Sequence, residues 1–540
     1  MFKITKGEFE LLTPDGLTLL DVSSRVASAV KQVYLPGVYK GDAKIQSQIV
    51  NLMVTEYNKI LETSIEQIAD NETIKTMLWQ YGESHKLLTA DASKSLTAKQ
   101  VEDANTRTRA HKFLAERCLA VGRENAICND KDQYLRYVSE AMVCADQIVR
   151  LSTISDQIRY DIMIHDFVVD IPSDTGVITI DGNRDEYDDF AQRLSVSNRS
   201  TNKLFPGRTF DFDEDAINFA LEPAFSERLM FTFSELFEML RELDKYSRQV
   251  PGSVYSTKLI DKDKIYTWIK DYAKPVFTLS DQQCDQILAG LTVFADRIAT
   301  ENRSFYNPNL DSRALKRCFF ETTFDGRPHL AWVPELIETS FDAIQKALVF
   351  GEFPKEWRLS NDISFAVDKI SNERGKWFEK EIVRIVDGLG IKGYASKKNI
   401  GQGKKLISLI PNPGELDFVG WSPKDRAIVL FEAKMLKWAA EPRHVRSQNE
   451  QFTEKDGFVE KLNEKAEWFA KNVKAVVEAL NSDGLGVENP VSVNRAIISF
   501  EPLFAKYKVK DFPVVSIGEF VSSYQAAGEW PYTEGVNLLL

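Results

Sequence analysis

The chain has 540 residues, 43% of them hydrophobic and 27% charged, with a net charge of −12 and five cysteines. No apolar run approaches the ~20 residues of a membrane-spanning helix, and the first ten residues lack the apolar core of a signal peptide. The cysteines are odd in number and widely spaced, which argues against a disulfide framework or a Cys-x-x-Cys zinc site and for reduced thiols in a cytoplasmic protein of two to four domains.

In chain order, residues 1–18 read as a small strand pair, Phe2–Thr5 and Phe9–Leu12, about a Pro14-Asp15-Gly16 turn. From Leu19 to about Ile164 apolar residues recur at three and four spacing, most clearly in 43–58, 99–119 and 131–151, which predicts a helical array. Asp166–Ile171 and Gly176–Asp181 suggest a strand pair. Residues 183–214 are polar and carry the Pro206-Gly207 turn, so they read as an internal boundary. Helical periodicity returns over 215–246, 261–272, 280–301 and 333–350. The acidic runs 185–189 and 211–215 lack the spacing and glycine of a calcium loop and read as solvated loop acids.

Gly351–Asn372 reads as a joint, after which Ser371 or Asn372 would cap a helix burying Trp377, Phe378, Ile382, Ile385 and Val386 and ending at Gly388-Leu389-Gly390. Short strands follow near 394–400 and 406–410, separated by Gly401–Lys405, a loop without Walker spacing. The polar stretch 441–456 precedes a helix from about Lys455 to Leu480. Ile517–Tyr524 makes a last short helix, and the tail from Ala526 is expected to be poorly ordered. The domains predicted are 1–182 (helical, with small β pairs), 183–355 (mainly helical) and 371–525 (α/β).

One hairpin stands out. Leu416–Trp421 and Ala427–Ala433 are apolar runs about Ser422-Pro423-Lys424-Asp425. A four-residue loop, Pro423 to Arg426, pairs Ser422 with Ala427 and Val419 with Leu430, and sets Asp417 opposite Glu432. Opposed side chains have Cβ atoms ~5 Å apart, and like charges there destabilise a sheet. At ~4 Å and an effective dielectric near 20 the repulsion is roughly 4 kcal/mol. A bound proton or a shared divalent cation relieves it. Glu432 and Lys434 share a face while Ala433 points the other way, so two hard oxygens and an ammonium converge, the equipment of metal-assisted phosphodiester hydrolysis.

Asp417 and Glu432-Ala433-Lys434 resemble the bipartite motif of the PD-(D/E)XK, or restriction-endonuclease-like, nuclease superfamily. Arg374-Gly375-Lys376-Trp377-Phe378-Glu379 resembles the helix that supplies a further acid, with Glu379 at the matching position. Leu416 stands where a proline is usual. The resemblance covers roughly 371–525. It implies a C-terminal α/β restriction-endonuclease-like domain, a central mixed sheet flanked by helices, after an N-terminal region that its periodicity makes mainly α with small β elements. It also implies Mg²⁺ (or Mn²⁺) held by Asp417, Glu432, Glu379 and the Ala433 carbonyl. Lys434 would position the attacking hydroxide, and cutting would leave a 3′-hydroxyl and a 5′-phosphate. A following helix often lends a Gln or Lys; Gln448, Gln451 and Lys461 are the candidates. The implied activity is that of a DNA endonuclease, with RNA as a second substrate class, in a prokaryotic restriction or anti-phage setting. The N-terminal region would sense, scaffold or oligomerise, giving a homo-oligomer or a complex with a partner protein, and no membrane partner is expected.

Two alternatives remain. The nuclease-like fold can serve as a non-catalytic binding module. Arg159 and His165 also have the arginine-x5-histidine spacing of the HEPN ribonucleases, which act without metal; Ile162 and Ile164 between them suggest simple core packing instead. Charge favours the C-terminal site. Residues 371–540 carry 24 basic and 23 acidic groups, against 44 and 57 in residues 1–370, and 374–446 alone carry 15 and 8.

Overall fold

The computed structural model describes residues 2–6, 9–14, 16–89, 97–174, 176–205, 221–249, 257–273, 278–301, 313–348, 350, 352–358, 360–436, 439, 442–532 and 535–537. They form two compact units, the first built from residues 1–159, 166–182 and 217–367, the second from 160–165, 183–216 and 368–540. Residues 1–182 and 183–355 are thus not two successive domains. Among the described residues no helix is long and apolar enough to cross a membrane.

The first unit is mainly helical. Its long helices are Gly16–Lys31, Ala43–Ile68, Asn71–Thr89, Ala98–Val121 and Lys131–Tyr160. Local signals fix their ends: Thr97 and Gln100 form a capping box, and Gly122 closes the same helix in the left-handed region at φ +65°. The strands Phe2–Lys6 and Phe9–Thr13 do pair, but across residues 7 and 8; Pro14 and Gly16 lead into the first helix instead. Two small sheets complete the unit, Gly37–Lys40 with His165–Ile171 and Thr179–Asn183, and a four-stranded one ordered Lys258–Asp261, Arg327–Trp332, Phe319–Phe324, Thr292–Val293. The second sheet escaped the periodicity reading because its strands are two to six residues long and abut helices; Thr292–Val293 divides the helix expected over 280–301.

The second unit carries the hairpin. Its elements are α1 (Asp185–Leu204), α2 (Asn361–Asp387), β1 (Lys392–Lys397), β2 (Leu416–Ser422), β3 (Ala427–Lys434), α3 (Pro442–Thr453), α4 (Phe458–Lys471), α5 (Val473–Ser482), β4 (Ser492–Ser499), β5 (Val514–Ser516), α6 (Ile517–Ala527) and β6 (Gly535–Asn537). β1, β2 and β3 are antiparallel, β4 joins β3 in parallel and β5 joins β4 in parallel, while β6 pairs with β4 antiparallel. Strand alternation sorts the apolar residues to two faces. Val419, Trp421, Ile428 and Leu430 pack with Leu462, Ala466 and Phe469 of α4 and Leu480 of α5. Phe418, Val429 and Phe431 pack with Phe378, Ile382 and Val386 of α2 and Phe520 of α6.

Three expectations are corrected here. The polar stretch after residue 183 does open the second unit, but as a helix, α1, which carries the acids 185–189, and not as a loop; its later part and the acids 211–215 lie outside the described residues. α2 begins at Asn361, ten residues before the proposed cap, so the joint is helical. The tail is structured: the Trp530 ring stacks on Phe431 at 6.2 Å, its backbone N–H donates to Asp425 Oδ1 at 2.8 Å, and Gly535–Asn537 pairs with β4.

Gly393 of β1 and Gly420 of β2 face each other in register, with the Phe418 ring over the pair. A Cβ on Gly420 would stand 2.7 Å from both the Lys392 carbonyl oxygen and that ring. Gly420→Ala is therefore expected to destabilise the protein by about 1 to 3 kcal/mol, read as a lower urea midpoint. An unchanged midpoint would contradict this packing.

Candidate active site

The hairpin register is the one the loop length predicts. Ser422 pairs with Ala427, Val419 with Leu430 and Phe418 with Phe431, whose rings stack at 5.0 Å. The ladder ends there. The next residues, Asp417 and Glu432, lie just beyond it. Glu432 and Lys434 follow Ile428 and Leu430 onto the face that α4 covers.

Their carboxylates do not stand unshielded. Lys434 Nζ donates to Glu432 Oε1 at 2.7 Å and to Asp417 Oδ2 at 3.4 Å. The Ala433 N–H donates to the same Asp417 oxygen at 2.9 Å. Lys465 of α4 donates to Glu432 Oε2 at 2.8 Å. Lys434 Nζ also sits 4.6 Å from the centre of the Phe458 ring, at the start of α4. The Glu432 and Lys465 side chains are each only 9% exposed, so this ion pair is nearly dry. Lysines thus relieve the repulsion that the register creates.

The electrostatics divide the two acids. Burial, then the charge of Glu432, pushes the Asp417 carboxyl above the usual range. Burial would also raise Glu432, but the Lys434 and Lys465 ammoniums outweigh it and hold it below the usual range. Lys434 rises despite burial, because both carboxylates favour its charged form.

Glu379 projects from α2. Its carboxylate accepts from the Ser396 hydroxyl. Ser396 lies between the pairs Ala395–Phe418 and Lys397–Leu416, opposite Asp417, and its backbone is left-handed at φ +52°. That conformation is uncommon for a residue with a Cβ. Burial raises the Glu379 carboxyl, and the Asp417 charge adds to the effect. Glu379 therefore feels the pair electrostatically while its hydrogen bond goes to Ser396. Nearby, Arg374 Nη2 donates to the Met435 carbonyl at 2.8 Å and anchors the end of β3; burial lowers its guanidinium to about 10.

Gln448 and Gln451 lie on α3, and Lys461 is exposed on α4. The residue that reaches Glu432 is Lys465, one turn after Lys461. Its signal was present: it follows Leu462 by three and precedes Phe469 by four, so it interrupts the apolar stripe of α4. The Gly401–Lys405 loop is occupied by α5 and the residue after it. The Gly401 N–H donates to Asp483 and the Gln402 N–H to Ser482, at 2.8 and 2.9 Å, so these amides are not free for phosphate.

In donor chemistry Asp417 and Glu432 fit a hard divalent cation, with buried oxygens whose repulsion such a charge relieves. Among the described residues, however, no group of three or more His, Cys, Asp or Glu side chains is placed to hold a metal ion. Glu379, the third acid of the expected set, spends one carboxylate oxygen on Ser396.

His165 is held between carboxylates, its Nδ1 2.6 Å from Asp161 Oδ1 and its Nε2 2.8 Å from Glu186 Oε2. Burial lowers its pKa, but hydrogen bonds to Asp161 and Glu186 more than offset this and leave it raised. A group raised on folding adds stability that is complete below its unfolded pKa, ~6.5, and disappears as pH climbs through the folded value. His165→Gln should therefore cost more stability at pH 6 than at a pH above that value. An equal cost at both would refute the charged anchor.

Comparison with protein-family models, characterised proteins and solved structures finds no match to this chain.

Proposed function

We propose that the chain is a metal-dependent endonuclease that hydrolyses DNA phosphodiester bonds, with the second unit in the role of a restriction-endonuclease-like domain. The observation that carries this reading is the convergence of Asp417, Glu432 and Lys434 at the end of the β2–β3 hairpin, with Lys465 behind Glu432. The element order supports it: a helix, three antiparallel strands, helices, then a strand parallel to the third. Asp417 and Glu432 would hold Mg²⁺ or Mn²⁺, and the chemistry such an ion would supply is polarisation of the phosphoryl oxygen and a more acidic water. Lys434 places a positive charge between the carboxylates, where it orients the attacking oxygen and offsets charge that develops on phosphate. Lys465 fixes the Glu432 carboxylate so that its oxygens need not reorganise. The first unit would serve as sensor, scaffold or oligomerisation module, in a prokaryotic restriction or anti-phage system.

The occupation of both Glu432 oxygens by lysines favours a second reading, a non-catalytic module that binds nucleic acid or protein. A substrate panel separates the two. Purified protein is incubated with plasmid, linear and single-stranded DNA and with RNA, in Mg²⁺, Mn²⁺ or EDTA. Nuclease chemistry predicts metal-dependent cutting of DNA; binding without cutting in every metal supports the module. Metal-independent RNA cutting would instead point to Arg159 and His165.

A further inference from the structure

We propose that the second unit holds a separate site for a nucleoside phosphate, in the cleft between α1, the 506–515 segment and α6. The cleft has a volume of about 540 Å³ and is lined by Arg193, Lys506, Lys510, Phe512, Val515 and Ser522, among others. That volume lies within the range of small-ligand pockets. Its charges are not balanced. Glu519 is taken by Arg193 at 2.6 and 3.2 Å, and Asp189 accepts the Tyr507 hydroxyl at 2.6 Å. The acids on the cleft thus already have partners. Among the described residues no carboxylate lies within ion-pair distance of Lys506 or Lys510. Two ammoniums share one cleft, and burial followed by the nearby Arg193 charge outweighs the pull of Glu519 and Asp189 and disfavours the charged form of Lys506. A phosphate would supply the missing negative charge through charge-assisted hydrogen bonds. Beside the lysines the lining includes apolar groups, among them Val509, Phe512 and Val515, which suit a flat ring better than a bare ion. A nucleoside phosphate meets both demands, either as a free nucleotide or as the 5′ end of a strand.

The test is calorimetric titration of the full chain in EDTA, where the proposed cleavage is silent. The probes are ATP and a single-stranded oligonucleotide with either a 5′-phosphate or a 5′-hydroxyl. The expected result is binding that weakens about tenfold or more in Lys506→Ala/Lys510→Ala. Binding should persist in Lys506→Arg/Lys510→Arg. ATP binding with no preference between the oligonucleotides identifies a free nucleotide; preference for the 5′-phosphate strand, lost in the alanine variant, identifies a strand end. The proposal is overturned if neither ATP nor the 5′-phosphate strand binds, or if the alanine variant binds like the wild type.

Discussion

Asp417→Asn is expected to lower DNA cleavage by about 10³-fold and at the same time to raise the unfolding temperature. The two effects share one cause. Asp417 is an acid whose folded pKa lies above its ordinary value, pushed there by burial and by the charge of Glu432. Such a group is harder to ionise in the folded chain than in the unfolded one. It therefore costs stability once pH rises above its unfolded pKa. A neutral amide removes that cost, and its carbonyl can still accept the Ala433 N–H that now donates to Asp417. A structural acid would behave in the opposite way, losing stability on neutralisation. Thermal melts and cleavage rates on the same preparations decide the matter. A variant that is both active and less stable would contradict the assignment of Asp417.

Lys465→Met is expected to destabilise the protein by about 3 kcal/mol. Lys465 and Glu432 form an ion pair of which each side chain is 9% exposed. Removing one partner of a buried pair strands the other, and Lys434 alone would then serve both Glu432 and Asp417. Methionine keeps the volume and the packing near Leu462 and Phe469, so the loss reads charge and not a cavity. Urea unfolding with an unchanged slope measures it. A loss below about 1 kcal/mol would mean that water reaches Glu432 and that α4 does not close the site. Cleavage should fall in the same variant, because Glu432 loses the group that fixes its second oxygen.

The hairpin was legible because three independent signals agreed. The Ser422–Asp425 turn residues fixed the loop, alternation fixed the faces, and the two charges inside apolar runs marked the site. α1 was not legible, because its buried face is largely polar. Ser197 bonds Ser516 at 2.7 Å, Ser200 bonds Ser522 at 3.0 Å, and Arg193 bonds Glu519, while Gly518 lets the helices approach closely. A search for apolar periodicity cannot see a helix that packs through hydroxyls and an ion pair. Lys465 was passed over for a related reason: a lysine inside an apolar stripe reads as surface until its partner is known. The tail was misjudged because Trp530 and Tyr532, two aromatic residues in a short polar stretch, find their core only in three dimensions.

The most direct measurement compares wild type and Asp417→Ala on supercoiled plasmid, each in Mg²⁺ and in EDTA, with duplex binding followed in parallel. Nicked or linear product from the wild type in Mg²⁺ alone, with Asp417→Ala binding the duplex but leaving it intact, is the predicted result. Cutting that survives either EDTA or the loss of Asp417 would contradict metal-dependent chemistry at this hairpin.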